Sequence, residues 1–276
     1  MATQNNNAPA AARRIGLPAL RKAKREGKRF ACLTAYDASF AALEDAAGID
    51  VILVGDSLGM VVQGRRSTIP VTVDDIVYHT ALVARGAQRA MVMADMPFMS
   101  FATVERALGN AARLMQKGGA EMVKLEGTGD QAEIIHALSA EGVPVCAHLG
   151  LRPQAVHKLG AYRVQGREPE AARALLQDAD RLVEAGAELL LLECVPASLA
   201  KAVTEQSPVP VIGIGAGVDC DGQILVLYDM LGITPGRRPS FSKDFLADTG
   251  SVTAAIEAYV QAVQSGIFPS PEHAFE

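Results

Sequence analysis

The sequence lacks the features of an exported or disulfide-linked protein. Its four cysteines, at positions 32, 146, 194 and 220, include no Cys-x-x-Cys pair, and three of them lie in or beside apolar runs. Buried, reduced thiols are ordinary in such runs. We therefore expect four free thiols and a reducing, cytoplasmic location.

The sequence also contains no apolar segment long enough to cross a membrane. Residues 1–12 are rich in Asn and Ala and lack the charged and then apolar pattern of a secretory signal. The Arg-containing start weakly resembles an organelle transit peptide, but no Ser precedes Ser39. We expect a disordered segment over residues 1–15 and no membrane partner.

Strong positive charge is missing as well. The formal net charge is −5, which gives no electrostatic reason to expect nucleic-acid binding. The basic residues between Arg13 and Arg29 are typical of a solvated helix. No shift in composition marks a linker, and hydrophobic residues make up 49% of the chain. We predict one large domain over residues 16–276.

What the sequence does contain is a repeated pattern. A helical end closed by Gly is followed by a short apolar run and then by an ionisable residue. The four copies end at Asp56, Glu126, His148 and Glu193, and a fifth apolar run ends at Asp95. This pattern is typical of αβ units around a buried parallel sheet, with charged groups delivered to one edge.

Eight apolar runs are candidate strands, and they predict a (β/α)8 TIM barrel with a C-terminal helix. They cover residues 30–35, 51–55, 91–94, 122–125, 144–147, 189–192, 209–214 and 224–228. Helices are predicted at 39–47, 73–85, 104–116, 130–140 and 170–184, and Thr72 and Asp75 are placed as a capping box for the second. A doubly wound open sheet is the alternative, since periodicity does not distinguish it from a closed barrel.

Two connections are longer than simple turns. Residues 57–72 follow the second predicted strand, and residues 149–167 follow the fifth. Long loops in a compact domain are typically functional. We expect both to form lids or binding loops at the edge where the strands end.

The charged residues at that edge predict a metal site. Lys124 and Glu126 are two apart on one strand, so they share a face and should interact. With Asp56 and Asp95 they bring three carboxylates and one ammonium together. Mg²⁺ prefers such oxygen ligands, completed by waters and substrate oxygens.

Each of these residues also has an ordinary structural explanation. An Asp after a strand is commonly a turn or capping residue. Lys124 and Glu126 could form a simple salt bridge, His148 could be a buried structural residue, and Glu193 could cap the next helix. Independent structural roles do not, however, require charges at the ends of five of eight strands.

Glu193 is the most distinctive of the set. It follows four leucines, which implies partial desolvation and a raised pKa suited to proton transfer near neutral pH. His148 is the competing base. The Gly-rich run at residues 213–217 could cradle a phosphate, but close backbone packing explains it equally well.

Six motifs, in order between residues 30 and 245, resemble those of the ketopantoate hydroxymethyltransferase family. They are Leu33-Thr34-Ala35-Tyr36-Asp37, Val54-Gly55-Asp56-Ser57-Leu58-Gly59-Met60, Ala94-Asp95-Met96-Pro97-Phe98-Met99, Val123-Lys124-Leu125-Glu126-Gly127, Ala147-His148-Leu149-Gly150-Leu151 and Ile212-Gly213-Ile214-Gly215-Ala216-Gly217. As a set they are highly specific.

The resemblance implies a barrel of the phosphoenolpyruvate/pyruvate superfamily type, acting early in pantothenate and coenzyme A synthesis. It would transfer a hydroxymethyl group from 5,10-methylenetetrahydrofolate to 3-methyl-2-oxobutanoate, giving 2-dehydropantoate.

The resemblance also implies roles for individual residues. Mg²⁺ ligands would be Asp56 and Asp95, with Glu126 on or near the metal, and the proton acceptor would be Glu193. The substrate-binding positions would be Asp56, Ser57, Asp95, Lys124 and His148.

A large homo-oligomer, commonly a decamer, is implied too. The apolar stretch at residues 252–267 could pack on a neighbouring subunit.

Two other functions remain open from the sequence. Another Mg²⁺-dependent, enolate-forming lyase of the superfamily would often use a loop Cys, whereas Cys146 and Cys194 lie in strand-like runs. A non-catalytic binding protein on a barrel scaffold would not need Glu193.

Overall fold

The structure, a computed structural model, describes residues 14–276. Residues 1–13, which make up most of the segment expected to be disordered, lie outside this range. At the start of the described chain, Ile15 N donates to Arg89 O (2.7 Å), and Arg14 Nε pairs with Glu121 Oε1 (2.8 Å). These contacts attach the start of the described chain to the barrel.

The eight strands form a closed, all-parallel barrel in sequence order. They are β1 Phe30–Thr34, β2 Val51–Val54, β3 Met91–Asp95, β4 Met122–Glu126, β5 Val145–Gly150, β6 Leu189–Glu193, β7 Val211–Ile214 and β8 Gly222–Leu225. Closure is made by β1 and β8, which pair from Phe30↔Gly222 to Leu33↔Leu225. The barrel prediction is confirmed, and the open sheet is excluded.

The predicted eighth strand was misplaced. Tyr228 lies in a short helix, and β8 begins two residues earlier than predicted, at Gly222. A Cβ at Gly222 would come within 2.4 Å of the Phe30 ring. A glycine therefore stands at this position in the strand, because it leaves room for the Phe30 ring. Since glycine is uncommon inside strands, it concealed the true start of β8 in the sequence. Strand β5 also runs past its predicted end, so His148 lies within it.

The helices surround the barrel. They are α1 Leu17–Arg25, α2 Ala38–Ala47, α3 Leu58–Val61, α4 Val73–Gly86, α5 Val104–Gln116, α6 Ala132–Ala140, α7 Val156–Leu159, α8 Pro169–Glu184, α9 Ala197–Gln206, α10 Leu227–Met230, α11 Phe245–Thr249 and α12 Val252–Gln264. The capping box of Thr72 and Asp75 is confirmed at the start of α4. Gly48 closes α2 in the left-handed conformation, with φ 99°, as the repeat pattern predicts.

Both long connections lie at the carboxyl ends of the strands. The loop at 57–72 contains α3, and the loop at 149–167 contains α7 and a 3₁₀ turn at Pro153–Ala155. No helix within residues 14–276 is both long and apolar enough to cross a bilayer.

Helix α12 packs on its own barrel. Its buried face includes Ile256 and Val260, and the Tyr259 hydroxyl donates toward Cys32 O (2.8 Å) and Gln223 O (2.9 Å). The chain's own barrel therefore covers the apolar face of α12, whereas Ile267, just after the helix, is exposed. A contact between this stretch and a neighbouring subunit stays a prediction. The sequence shows the amphipathic pattern but not which surface covers it.

Helix α2 carries an unusual buried acid. Glu44 is fully buried, and neither of its carboxyl oxygens accepts a hydrogen bond from any residue in the described range. Burial, reinforced by the negative charge of Asp37, raises the pKa of Glu44 well above its ordinary value. The folded protein therefore holds a proton on Glu44 more tightly than the unfolded chain does.

Replacing Glu44 with Leu should stabilise the protein. The stability that the Glu44 proton confers is complete below the unfolded pKa of about 4.3 and declines as pH rises toward the higher folded pKa. Glu44→Leu removes this dependence and an unsatisfied polar group, so we expect a gain of about 1–3 kcal/mol in unfolding free energy. The gain should grow with pH.

Urea unfolding at acidic and alkaline pH measures the effect. Glu257→Leu, on the exposed side of α12, is the matched control and should change stability little. A loss of stability in Glu44→Leu, or a gain that does not vary with pH, would contradict the assignment.

Candidate active site

The charged residues predicted from the strand ends meet at one mouth of the barrel. Strands β3 and β4 place Asp95 beside Lys124, and β4 and β5 place Glu126 beside His148. Glu193 ends β6, next to Gly150 of β5. Parallel strands bring their carboxyl ends to the same rim, which is why residues far apart in sequence converge.

Hydrogen bonds connect the two aspartates to each other and connect Asp56 to Gln154. Asp95 Oδ2 accepts a hydrogen bond from Asp56 N (3.0 Å), and Asp56 Oδ2 accepts one from Gln154 Nε2 (2.9 Å). Helix α3 has Ser57 at its N-cap and no side-chain cap. The alternative in which Asp56 is a capping residue is therefore excluded.

Lys124 is the cation of the site. Its Nζ lies 2.8 Å from Asp95 Oδ1 and 3.3 Å from His148 Nδ1, and its side chain is 4% exposed. Burial alone would lower the pKa of Lys124, but Asp95, Glu126 and Asp56 together raise it above its ordinary value. Lys124 therefore stays charged.

Lys124 and Glu126 interact through their charges, as expected, but the direct ion pair of Lys124 is with Asp95. The reason is register, because Asp95 lies directly beside Lys124 on the neighbouring strand. Glu126 Oε2 instead accepts a hydrogen bond from Gln154 N (3.0 Å). Burial, together with the charge of Asp56, raises the pKa of Glu126 well above its ordinary value.

The Asp56 carboxyl group is likewise buried beside other carboxylates. Burial and the neighbouring Asp95 charge raise the pKa of Asp56 to about 7, against the opposing effects of Lys124 and Gln154. Within residues 14–276, no three Asp, Glu, His or Cys side chains form a group that could hold a metal ion. The Asp95 carboxylate accepts from the backbone N–H of Asp56, and its charge adds to the rise in the Asp56 pKa. The roles of Asp56, Asp95 and Glu126 as metal ligands all stay predictions.

His148 lies between Lys124 and Glu193. Its Nε2 is 3.3 Å from Glu193 Oε2, and burial and the charge of Lys124 lower the pKa of His148 well below its ordinary value. The ring is therefore neutral. Because the Lys124 ammonium can only donate, Nδ1 is assigned as the acceptor and Nε2 as the protonated nitrogen facing Glu193.

Glu193 differs from its neighbours in retaining solvent contact. Its side chain is 16% exposed, and burial raises the pKa of Glu193 to about 7, with Lys124 opposing and Asp95 adding to the shift. Helix α9 begins only at Ala197, with Pro196 at its N-cap, so Glu193 does not cap it. A carboxylate with this pKa can accept a proton near neutral pH.

The backbone turns sharply after Glu193. Cys194 adopts a left-handed conformation, with φ 49°. Its N–H donates to Ile214 O, and its carbonyl accepts from Gln165 N, both at 2.9 Å. Such strain persists where the surroundings fix the chain, and it commonly lies at functional sites.

Two residues at the mouth were not identified by sequence reasoning. The hydroxyl groups of Ser57 and the buried Tyr36 lie 2.8 Å apart, so Tyr36 holds a predicted substrate-binding residue. Gln154 reaches Asp56 and Glu126 from the loop after β5. Tyr36 belongs to a recognised motif, whereas the only signal for Gln154 was its position in a long loop.

The Gly-rich run at 213–217 is explained by packing. A Cβ at Gly215 would approach Phe275 to 3.0 Å, and one at Gly217 would approach the Ala197 side chain to 2.6 Å. Both glycines also have positive φ values, of 58° and 81°. The packing alternative therefore accounts for the run.

Sequence comparison identifies a family for nearly the whole chain. The model of the ketopantoate hydroxymethyltransferase family matches residues 14–271. A 3-methyl-2-oxobutanoate hydroxymethyltransferase of Alkalilimnicola ehrlichii is 61% identical over 267 residues, covering 97% of this chain and 96% of the relative.

Solved structures with the same fold are more distant in sequence. A phosphonopyruvate hydrolase in complex with oxalate and Mg²⁺ aligns with a TM-score of 0.60 at 14% identity, covering 93% of this chain and 92% of the other. A 2,3-dimethylmalate lyase, a member of the PEP mutase/isocitrate lyase superfamily, aligns with a TM-score of 0.57 at 14% identity, covering 79% and 80%. These similarities show that the chain shares its barrel fold with these proteins.

Proposed function

The chain belongs to the ketopantoate hydroxymethyltransferase family, and on that premise we propose that its barrel mouth binds Mg²⁺ and that Glu193 is the catalytic base. The enzyme transfers a hydroxymethyl group to 3-methyl-2-oxobutanoate, a step of pantothenate biosynthesis. In the proposed chemistry, the one-carbon donor is 5,10-methylenetetrahydrofolate and the product is 2-dehydropantoate.

Glu193 is the observation that carries this proposal. Its carboxylate is partly exposed, its pKa is raised to about 7, and it lies beside a neutral histidine that can donate to it. Glu193 takes the proton from C3 of the keto acid, and the electron pair of that C–H bond becomes available for attack. Over the whole reaction, the donor's methylene carbon gains a bond to C3 and a hydroxyl group from water, and both of its bonds to folate nitrogens break. The proton from C3 and the second proton of the water end on those two nitrogens, so the donor leaves as tetrahydrofolate.

The residues at the mouth fit Mg²⁺. The Asp95 carboxylate contacts the backbone of Asp56, and its charge acts on the Asp56 carboxyl group. Mg²⁺ commonly binds one or two carboxylates together with waters and substrate oxygens. The metal supplies Lewis-acid stabilisation of the negative charge that develops on the keto oxygen. The Mg²⁺ bound in the phosphonopyruvate hydrolase of the same fold supports this choice.

Lys124 and Ser57 are the proposed substrate contacts. Lys124 keeps its positive charge despite burial, so it can offset the carboxylate of the keto acid. Ser57 is oriented by the Tyr36 hydroxyl, at 2.8 Å. His148 lies between these groups, with Nδ1 3.3 Å from the Lys124 ammonium and Nε2 3.3 Å from the Glu193 carboxylate.

The loops at 57–72 and 149–167 are proposed to exclude water from the mouth. Both follow strands that deliver site residues, and the second already lies over the mouth through Gln154. Excluding water strengthens the electrostatic interactions inside the site and protects a carbanion-like carbon from solvent protons.

The two alternative functions are less well supported. A lyase with a reactive loop thiol needs an accessible, low-pKa cysteine, but all four cysteines are buried. Burial raises the pKa of Cys146 to about 12 and that of Cys194 still further. A non-catalytic binding protein would not need a partly exposed glutamate with a raised pKa, such as Glu193.

The proposal also covers the assembly and the location of the protein. A homodecamer is proposed from the family resemblance alone. A cytoplasmic location is supported by the four unpaired, buried thiols, which suit a reducing compartment. Small molecules are the expected partners. The net charge of −5 gives no electrostatic reason to expect nucleic acid among them.

Removing one aspartate should weaken metal binding. Asp95→Asn retains an acceptor for Asp56 N but loses the negative charge, so the Mg²⁺ dissociation constant should rise at least about 100-fold, beyond the usual effect of an outer-shell change. Calorimetry measures this directly. Asp248→Asn, on the exposed side of α11, is the control. Unchanged affinity in folded Asp95→Asn would reject the metal assignment.

Hydrogen exchange between the substrate and D₂O should identify the catalytic base. With Mg²⁺ but no folate, the enzyme should exchange the C3 hydrogen of 3-methyl-2-oxobutanoate into D₂O. The rate should increase with pH through about 7, because only unprotonated Glu193 accepts a proton. Glu193→Gln retains size and hydrogen bonding, so exchange should fall roughly 100-fold or more while substrate still binds.

His148→Asn tests the competing base. Near-normal exchange in Glu193→Gln together with loss in His148→Asn would transfer the role to His148. An increase of product only when the folate donor is added would identify the one-carbon source.

A further inference from the structure

Gln154 links four strands at the mouth. It lies in the 3₁₀ turn Pro153–Ala155 after β5, and it is 6% exposed. Its side-chain Nε2 donates to Asp56 Oδ2 at 2.9 Å and to Met96 O at 3.0 Å. Its backbone N–H donates to Glu126 Oε2 at 3.0 Å. One residue thus contacts groups that follow β2 and β3 and the group that ends β4.

The contacts determine the orientation of the Gln154 amide. A backbone carbonyl such as Met96 O can only accept hydrogen bonds, so the atom facing it must be the NH₂ group and not the amide oxygen. The second hydrogen of the same NH₂ group then points to Asp56. By accepting one hydrogen of the Gln154 amide, Met96 O orients the other hydrogen toward Oδ2 of Asp56. The other oxygen of Asp56, Oδ1, is left for a metal ion.

The neutrality of this donor distinguishes the two aspartates. Asp95 shares its charge with the Lys124 ammonium at 2.8 Å. Asp56 is held by an amide, which fixes the carboxylate in place without supplying a positive charge. A carboxylate oriented by a neutral donor forms no direct ion pair, so its second oxygen is left for a cation.

We propose that Gln154 is a positioning residue that orients Asp56 for Mg²⁺ binding. This rests on the proposed function of Asp56 and Asp95 as metal ligands. Gln154 acts through Asp56 and not on the substrate. It also couples the loop at 149–167 to the metal site, because the same residue carries both the side-chain bond to Asp56 and the backbone bond to Glu126.

Gln154→Met tests the proposal. Methionine has a similar length, keeps the backbone bond to Glu126 and removes the two side-chain donors. The matched control is Gln206→Met, because Gln206 Nε2 also donates to an aspartate, Asp180 Oδ2 at 2.6 Å, but on the exposed surface. Calorimetry gives the Mg²⁺ dissociation constant of each protein without substrate, and thermal unfolding shows whether each is folded.

We expect Mg²⁺ binding to weaken about 10- to 100-fold in Gln154→Met and to remain unchanged in Gln206→Met. The apparent KM for Mg²⁺ should rise by the same factor, while kcat at saturating Mg²⁺ should fall less. Gln154→Leu serves as the second variant if Gln154→Met does not fold.

Unchanged Mg²⁺ affinity in a folded Gln154 variant would overturn the positioning role and leave the proposed function intact. A fall in kcat with no change in Mg²⁺ affinity would overturn it as well. Failure of the unsubstituted enzyme to bind Mg²⁺ would instead overturn the proposed function, and this inference with it.

Discussion

The ion pair of Lys124 and Asp95 is the interaction on which the rest of the site depends. Its atoms lie 2.8 Å apart, and both side chains are almost fully buried. Lys124 also offsets the charges of Asp56 and Glu126. It opposes the rise that burial causes in the pKa of Glu193, and it adds to the fall that burial causes in the pKa of His148. Removing one partner of such a pair typically costs about 3–5 kcal/mol, because a buried charge is left uncompensated. The barrel mouth therefore depends on Lys124 for its stability.

The four carboxyl groups at the mouth share one ammonium, that of Lys124, so they differ in how far their negative charge is offset. Asp95 takes the direct contact with Lys124, whereas burial and mutual repulsion raise the pKa values of Asp56 and Glu126. Gln154 then supplies neutral hydrogen bonds to both of these groups. The arrangement places carboxylate oxygens close together while limiting their repulsion, which is the requirement for a site that accepts a divalent cation.

Much of this arrangement follows from local sequence. Gly-closed helices and short apolar runs predict the strands, and parallel strands must end at one rim, so the convergence of Asp56, Asp95 and Glu193 was predictable. The partner of Lys124 was not, because it depends on the register between β3 and β4. Gln154 lies 98 residues from Asp56 along the chain, and no local pattern joins them. The amphipathic pattern of α12 likewise did not identify the barrel surface that covers it.

Exposure separates the proposed base from the other charged groups of the site. Asp56, Asp95, Lys124, Glu126 and His148 are each at most 5% exposed, whereas the side chain of Glu193 is 16% exposed. A base must exchange its proton with substrate and afterwards with solvent, so complete burial would trap the proton that it has taken. Glu193 ends its strand just before the left-handed turn at Cys194, and the hydrogen bonds of Cys194 to Ile214 and Gln165 hold that turn. The strained turn lets the chain leave the barrel at once, so the carboxylate stays at the edge of the buried charges instead of among them.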